Sequence, residues 1–226
     1  MNPIRKTIGY ADMSWNPVTG CRHGCAYCYA RGIAKRFSRA YWSWGEDVAA
    51  QNHAVNRWPG NPYPYGFVPT FHPHRLDEPK RRRKPSVIFA VDMGDLFGEW
   101  VPVEWIEPVL QVIRETPRHH YLLLTKNPAR YAEFELPPNA WAGTTVAGDD
   151  DGRRLLDLAD ATWPPDRRWV SYEPALGPFP TRLRVHIGWL VIGAQTGPGA
   201  RPPRGRVAGG GDRRDDDCRR ARVPEV

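Results

Sequence analysis

Ser86-Val87-Ile88-Phe89-Ala90-Val91-Asp92-Met93-Gly94-Asp95 is a continuous apolar run that stops at two carboxylates. An uninterrupted apolar segment of that length reads as a buried strand. Downstream, Pro102 opens a helix that aligns Trp105, Ile106, Val109, Leu110 and Ile113 on one face, with Pro108 inside it as a threat to its continuity. Residues 120–124 and 140–146 read as further strands, 152–161 as a helix, 168–172 as a strand and 188–193 as the last strand. Upstream, residues 13–18 read as a short strand and 29–37 as a helix. The aromatic-rich stretch 41–58 is expected to pack rather than to stack bases. Residues 59–85, dense in proline and glycine, are expected to form a long irregular insertion. Strand and helix alternating in this way predict an α/β fold, a parallel sheet with helical crossovers whose six strands suit a partial or full β/α barrel.

In such folds ligands meet the carboxyl ends of the strands. Each predicted strand here ends in polar side chains: Asp92 and Asp95, Thr125 and Lys126, Thr144 and Thr145, Ser171 and Glu173, Gln195 and Thr196. Any one of these is explained by a turn or a helix cap. The set, with a cysteine loop at the end of a further strand, is expected to converge on one cavity mouth.

That loop is Cys21-Arg22-His23-Gly24-Cys25-Ala26-Tyr27-Cys28. Three thiolates spaced Cys-x3-Cys-x2-Cys leave one corner of a tetrahedral centre to another ligand. The remaining cysteine, Cys218, lies far away in a strongly charged segment. Two readings stay open beside a cluster: a structural zinc site closed by His23 or a distant histidine, and free thiols. An odd number of closely spaced cysteines, and no apolar signal-like stretch in residues 1–10, predict a reducing, cytoplasmic setting.

The chain has 226 residues, 41% hydrophobic and 25% charged, enough for one sizeable core. No apolar run approaches the length of a membrane span, so no membrane partner is expected. The net charge of +7 is concentrated in Arg5, Lys6, Arg22, Arg31, Lys35, Arg36 and Arg39 and in the run from Lys80 to Lys84. Such a balance is compatible with a nucleic acid or nucleotide as partner, although charge runs are usually solvated faces.

Cys-x3-Cys-x-aromatic-Cys, with Tyr27 as the aromatic, resembles the signature of the radical S-adenosylmethionine superfamily. A narrower resemblance covers roughly the first 200 residues. It is carried by Ser14-Trp15-Asn16-Pro17-Val18-Thr19-Gly20-Cys21, Asp92-Met93-Gly94-Asp95-Leu96-Phe97, Leu123-Leu124-Thr125-Lys126, Gly143-Thr144-Thr145-Val146, Ser171-Tyr172-Glu173-Pro174 and Gly197-Pro198-Gly199-Ala200-Arg201-Pro202. In these motifs the chain is similar to a phage and prophage-associated family of unknown function.

The resemblance implies a partial (β/α)6 TIM-like barrel of radical S-adenosylmethionine type over residues 1–203, followed by an atypical tail at 204–226 read as a truncated or altered end. It implies a [4Fe-4S] cluster on Cys21, Cys25 and Cys28, S-adenosylmethionine as second cofactor, and an external electron donor of the flavodoxin or ferredoxin class. Tyr27 would border the adenine. Asp92 or Asp95 would accept the cofactor's amino group, in place of the superfamily's Gly-Gly-Glu-like segment. Thr144 or Thr145, and Ser171 or Glu173, would meet its ribose and carboxylate or a substrate. Lys126 would pair with a carboxylate or phosphate, or lie on the surface. Beside this enzyme reading stand a zinc-stabilised nucleic-acid-binding module and a catalytically inactive phage-associated protein.

Overall fold

The computed structural model describes residues 1–38, 52–55, 62–161, 163–195 and 200. Two extended residues, β1 (Asn2–Pro3), pair antiparallel with β2 (Met13–Trp15). Next come β3 (Val18–Thr19), α1 (Tyr29–Phe37), β4 (His53–Ala54), β5 (Thr70–Phe71) and the short α2 (Glu78–Arg81). The regular part comprises β6 (Val87–Ala90), α3 (Val103–Glu115), β7 (His120–Thr125), β8 (Ala140–Thr145), α4 (Gly152–Asp160), β9 (Arg168–Tyr172) and β10 (Trp189–Ile192).

The main sheet has the order β1-β2-β6-β7-β8-β9-β10, and every pairing from β2 onward is parallel. The expected six parallel strands are therefore present, joined at one edge by an antiparallel strand. The sheet is not closed, because β1 and β10 are its two edges.

It is nevertheless curled. In a flat sheet β6 and β9 lie three strand spacings apart, roughly 14 Å, yet the Phe89 and Trp169 rings meet at 6.0 Å between centroids. Residues alternate between two cores with the strand period of two. Phe89, Leu122, Trp169, Trp189 and Val191 gather on one face with Ala11, while Ile88, Ala90, Tyr121, Leu123, Ala142 and Val170 pack on the other with the α3 residues Ile106, Val109 and Leu110. Full burial stabilises each valine, leucine, isoleucine or phenylalanine among them by about 1.5–3 kcal/mol. Trp169 crosses β8 to donate its Nε1–H to the Leu123 carbonyl at 3.0 Å. Only a glycine allows this, because a β carbon on Gly143 would stand 2.3 Å from Trp169 Nε1.

Several expectations need correction. Residues 13–18 are two strands, broken at Asn16-Pro17, where proline supplies no N–H and Asn16 turns its amide toward the β6 end. Pro108 costs α3 one helical bond but does not end it, since buried Ile106, Val109, Leu110, Val112 and Ile113 hold the helix on the sheet. The β7–β8 connection is a 3-10 turn (Pro128–Glu133), and no helix is assigned among the described residues between β9 and β10, where Pro174, Pro178 and Pro180 interrupt the chain. The insertion is not wholly irregular. It contains β5, a 3-10 turn (Pro73–Arg75) and α2, and β5 joins β3 and β4 in a second, three-stranded sheet.

Part of the second basic run is structural. Lys80 stands 2.8 Å from Glu115 and 3.1 Å from Asp77, and Arg118 donates to the Lys80 carbonyl. No helix among the described residues is long and apolar enough to cross a membrane. The stretch 41–58 apart from 52–55, Thr196, the Gly197–Pro202 motif apart from Ala200, Cys218 and the tail 204–226 lie outside the described residues.

Candidate metal centre

The cysteine loop starts at Gly20, which bridges to Gly94 just beyond β6. Gly20 has φ +86°, and a β carbon there would lie 2.3 Å from the Val68 carbonyl oxygen, so the position demands glycine on two counts. Its N–H donates to the Met93 carbonyl at 2.9 Å, and the Cys21 N–H donates to the Phe67 carbonyl at 3.1 Å. The loop is thus hung between the β6 end and the insertion. At its far end Cys28 caps α1, its sulfur accepting the Arg31 N–H at 3.4 Å. The Cys21 sulfur accepts the His23 N–H at 3.5 Å.

All three thiols are half-buried and free of disulfides. Among the described residues no group of three or more His, Cys, Asp or Glu side chains stands together as a ready metal cage. Burial pushes the Cys21 thiol up to about 12, and nearby Asp95, Cys25 and Cys28 act the same way, while the His23 N–H opposes them. Such a thiol stays protonated at neutral pH unless a metal replaces its proton.

Asp95, 3% exposed, ties the surroundings together. Its Oδ2 lies 2.8 Å from His23 Nε2 and accepts the Lys126 N–H at 3.0 Å, and its Oδ1 accepts the Phe97 N–H at 3.1 Å. One carboxylate therefore joins the cysteine loop to the ends of β6 and β7. His23, held by Asp95 and set edge-on to Trp100 at 4.8 Å, is part of this brace.

Lys126 lies on no open surface. Its ammonium stands 3.1 Å from Cys25 Sγ and 2.6 Å from the Tyr27 hydroxyl, 4.6 Å from the centre of the Tyr27 ring. Burial lowers its pKa, but the Tyr27 hydroxyl and the Cys25 sulfur raise it more, so the amine is held charged.

Two further carboxyls sit nearby. Asp92 accepts the Asn16 amide N–H at 2.6 Å, and burial pushes its pKa up to about 6 against that bond. The preceding residue, Val91, has φ +61°, an uncommon and costly conformation for a β-branched side chain. It is pinned by its N–H to the Trp15 carbonyl at 2.8 Å. Burial also raises Glu173, which accepts from Ser171 Oγ at 3.2 Å and from the Tyr10 hydroxyl. Burial and the neighbouring Glu173 and Asp92 carboxyls together raise the Tyr10 pKa.

The carboxyl ends of β6 and β9 thus bring Asp92 and the Ser171–Glu173 pair within electrostatic reach of Tyr10, which stands just before β2. Thr144 does not join them, as its hydroxyl donates to the Thr125 carbonyl inside the sheet at 2.8 Å. Thr145, one residue on, takes the opposite face.

A family model described as "Protein of unknown function (DUF5131)" matches residues 5–224. The chain belongs to this DUF5131 family. No curated protein and no solved structure matches it. The DUF5131 match runs from the first turns of this fold through the cysteine loop and every described strand from β2 to β10.

The donor set of this DUF5131 chain fits an iron–sulfur cluster. Three thiols stand within eight residues, backbone N–H groups point at two of the sulfurs, and an ammonium stands against the third. Sequence reasoning missed the roles of Asn16, Tyr10 and Asp95 as braces and the contact of Lys126 with Cys25. Asn16 has a signal in hindsight, since an Asn-Pro pair four residues before Gly20 marks a break where the chain must turn toward the loop.

Proposed function

We propose that this chain is a radical S-adenosylmethionine enzyme in which Cys21, Cys25 and Cys28 hold a [4Fe-4S] cluster. The observation that carries this reading is the anchoring of the three-cysteine loop, through Gly20 and Asp95, to the carboxyl ends of adjacent parallel strands, beside buried carboxyls whose protons are held unusually tightly. When bound, the cluster and S-adenosylmethionine together supply an electron and a 5′-deoxyadenosyl group for hydrogen abstraction.

The chain's own residues then divide the work. Asp92, oriented by Asn16, is suited to accept an ammonium group, which would also draw its pKa back down. Ser171, Thr145 and Glu173 offer polar atoms for hydroxyls or N–H groups on the far side of the mouth. Tyr27, fixed by Lys126, borders the loop with an aromatic face. The curled apolar face below, with Phe89, Trp169 and Trp189, keeps water from beneath. Arg31 and Arg36 on exposed α1 surface, next to the loop, favour a polyanionic substrate such as a nucleic acid or nucleotide.

Anaerobic reconstitution tests the reading. It expects a brown protein with about four irons per chain, and 5′-deoxyadenosine on addition of dithionite and S-adenosylmethionine. Tightly bound zinc without a chromophore would replace it with the zinc module. A chain that takes up neither metal would mark an inactive scaffold.

A further inference from the structure

Among the described residues the ammonium of Lys126 pairs with no carboxylate; it spends its hydrogen bonds on a sulfur and a phenol. A lysine serving only the surface would leave its amine in water. Here the side chain reaches back from the end of β7 into the cysteine loop, 101 residues away in sequence. Its backbone is fixed as well, since the Lys126 N–H is held by the same Asp95 carboxylate that holds His23. The next residue is also tied down, the Asn127 side-chain amide donating to the Phe97 carbonyl at 3.0 Å. The direction of the lysine is therefore built by three segments and not by a rotamer of its own.

We infer that Lys126 is a positioning residue that sets the reduction potential of the centre through Cys25 and locks the Tyr27 ring beside it. This rests on the radical reading above. The physical reason is charge. A reduced cluster carries one more negative charge than the oxidised one, so a cation 3.1 Å from one of its sulfur ligands stabilises the reduced form more. An N–H donor on that sulfur acts in the same direction. Among the described residues Cys21 and Cys28 receive backbone N–H groups, at 3.5 and 3.4 Å, and Cys25 alone receives an ammonium, so the three sulfurs are unequal and Cys25 is the one that carries the tuning. The Tyr27 bond adds orientation. An aromatic ring with its hydroxyl held at 2.6 Å and its face near the ammonium cannot swing into the mouth.

The test is the midpoint potential of the reconstituted protein, followed by spectroscopically monitored redox titration, in wild type, Lys126→Met, Lys126→Gln and Lys126→Arg. Lys126→Met loses both charge and donor and should disfavour reduction about tenfold, equivalent to about 59 mV for a one-electron couple. Lys126→Gln, with a donor but no charge, should fall between Met and wild type, and Lys126→Arg should stay nearest to wild type. Tyr27→Phe keeps the ring and frees it, and should change the potential less than Lys126→Met does. Iron uptake with the same potential in Lys126→Met and Lys126→Gln as in wild type would overturn the inference and leave the radical reading standing. A wild-type chain that takes up no iron would overturn both.

Discussion

The two sides of the strand-end mouth are built differently. On the side of β2, β6 and β7, Gly20, Asn16, Asp95 and Lys126 knit the cysteine loop to the sheet through short bonds between segments far apart in sequence. On the side of β8 and β9, Ser171 and Glu173 bond mainly to each other and to Tyr10, and Thr144 turns into the sheet. The braced side fixes the positions of three sulfurs. The other side keeps Glu173, whose proton burial holds more tightly than usual although Ser171 and Tyr10 donate to it, and which has no bond to the cysteine loop among the described residues. The contrast is that of a side built to hold a resident group and a side left for something that arrives.

The two sides should differ most at the cysteines. Cys21→Ala, Cys25→Ala or Cys28→Ala should each abolish retention of a four-iron cluster, measured by iron and sulfide content, whereas Ser171→Ala and Thr145→Ala should leave it intact. Equal loss from both sides would erase the distinction. Gly20→Ala comes next. A β carbon 2.3 Å from the Val68 oxygen in a left-handed conformation should cost roughly 3 kcal/mol or more, read as a lowered midpoint in denaturant.

Asp95→Ala removes three hydrogen bonds from a buried hub and leaves the Lys126 and Phe97 N–H groups without their acceptor, a loss of roughly 2–4 kcal/mol. Asp95→Asn, which keeps an acceptor oxygen, should lose less. If the two variants are equally stable, Asp95 is not the brace described here.

The smallest effect belongs to the buried carboxyls, one on each side, Asp92 after β6 and Glu173 after β9. The pKa of Asp92 in the fold, about 6, lies above its ordinary range, so the folded state holds the proton more tightly than the unfolded one. The contribution of Asp92 to stability is therefore fully present below the usual carboxylate pKa and is lost as pH rises through about 6. Asp92→Asn should flatten that slope, gaining about 2–3 kcal/mol above pH 7 relative to wild type. Glu173→Gln should act in the same direction. Unfolding curves of the metal-free chain between pH 4 and 8 decide it, and a slope unchanged in Asp92→Asn rules it out.

Much of the scaffold was legible because it rests on local pattern. The apolar run at Val87–Ala90, the face of α3 and the helix Tyr29–Phe37 follow directly from periodicity and length. What was not legible depends on partners remote in sequence. Pro108 reads as a break until the burial of the residues around it is known. Asp92 and Asp95 read alike, three residues apart, yet one is a desolvated acid beside Asn16 and the other a saturated anchor. Thr144 and Thr145 read alike too, and strand alternation sends them to opposite faces.

By itself the sequence determined the parallel α/β sheet and a loop of three thiols at the end of one of its strands, because strand period and cysteine spacing are properties of short segments. The tertiary structure decided which polar residues surround that loop and that the sheet curls without closing. It also turned Lys126 inward onto Cys25. Hydrogen-bond partners, burial and the curl of a sheet are set by chain segments that meet only in the folded molecule, and no local pattern encodes them.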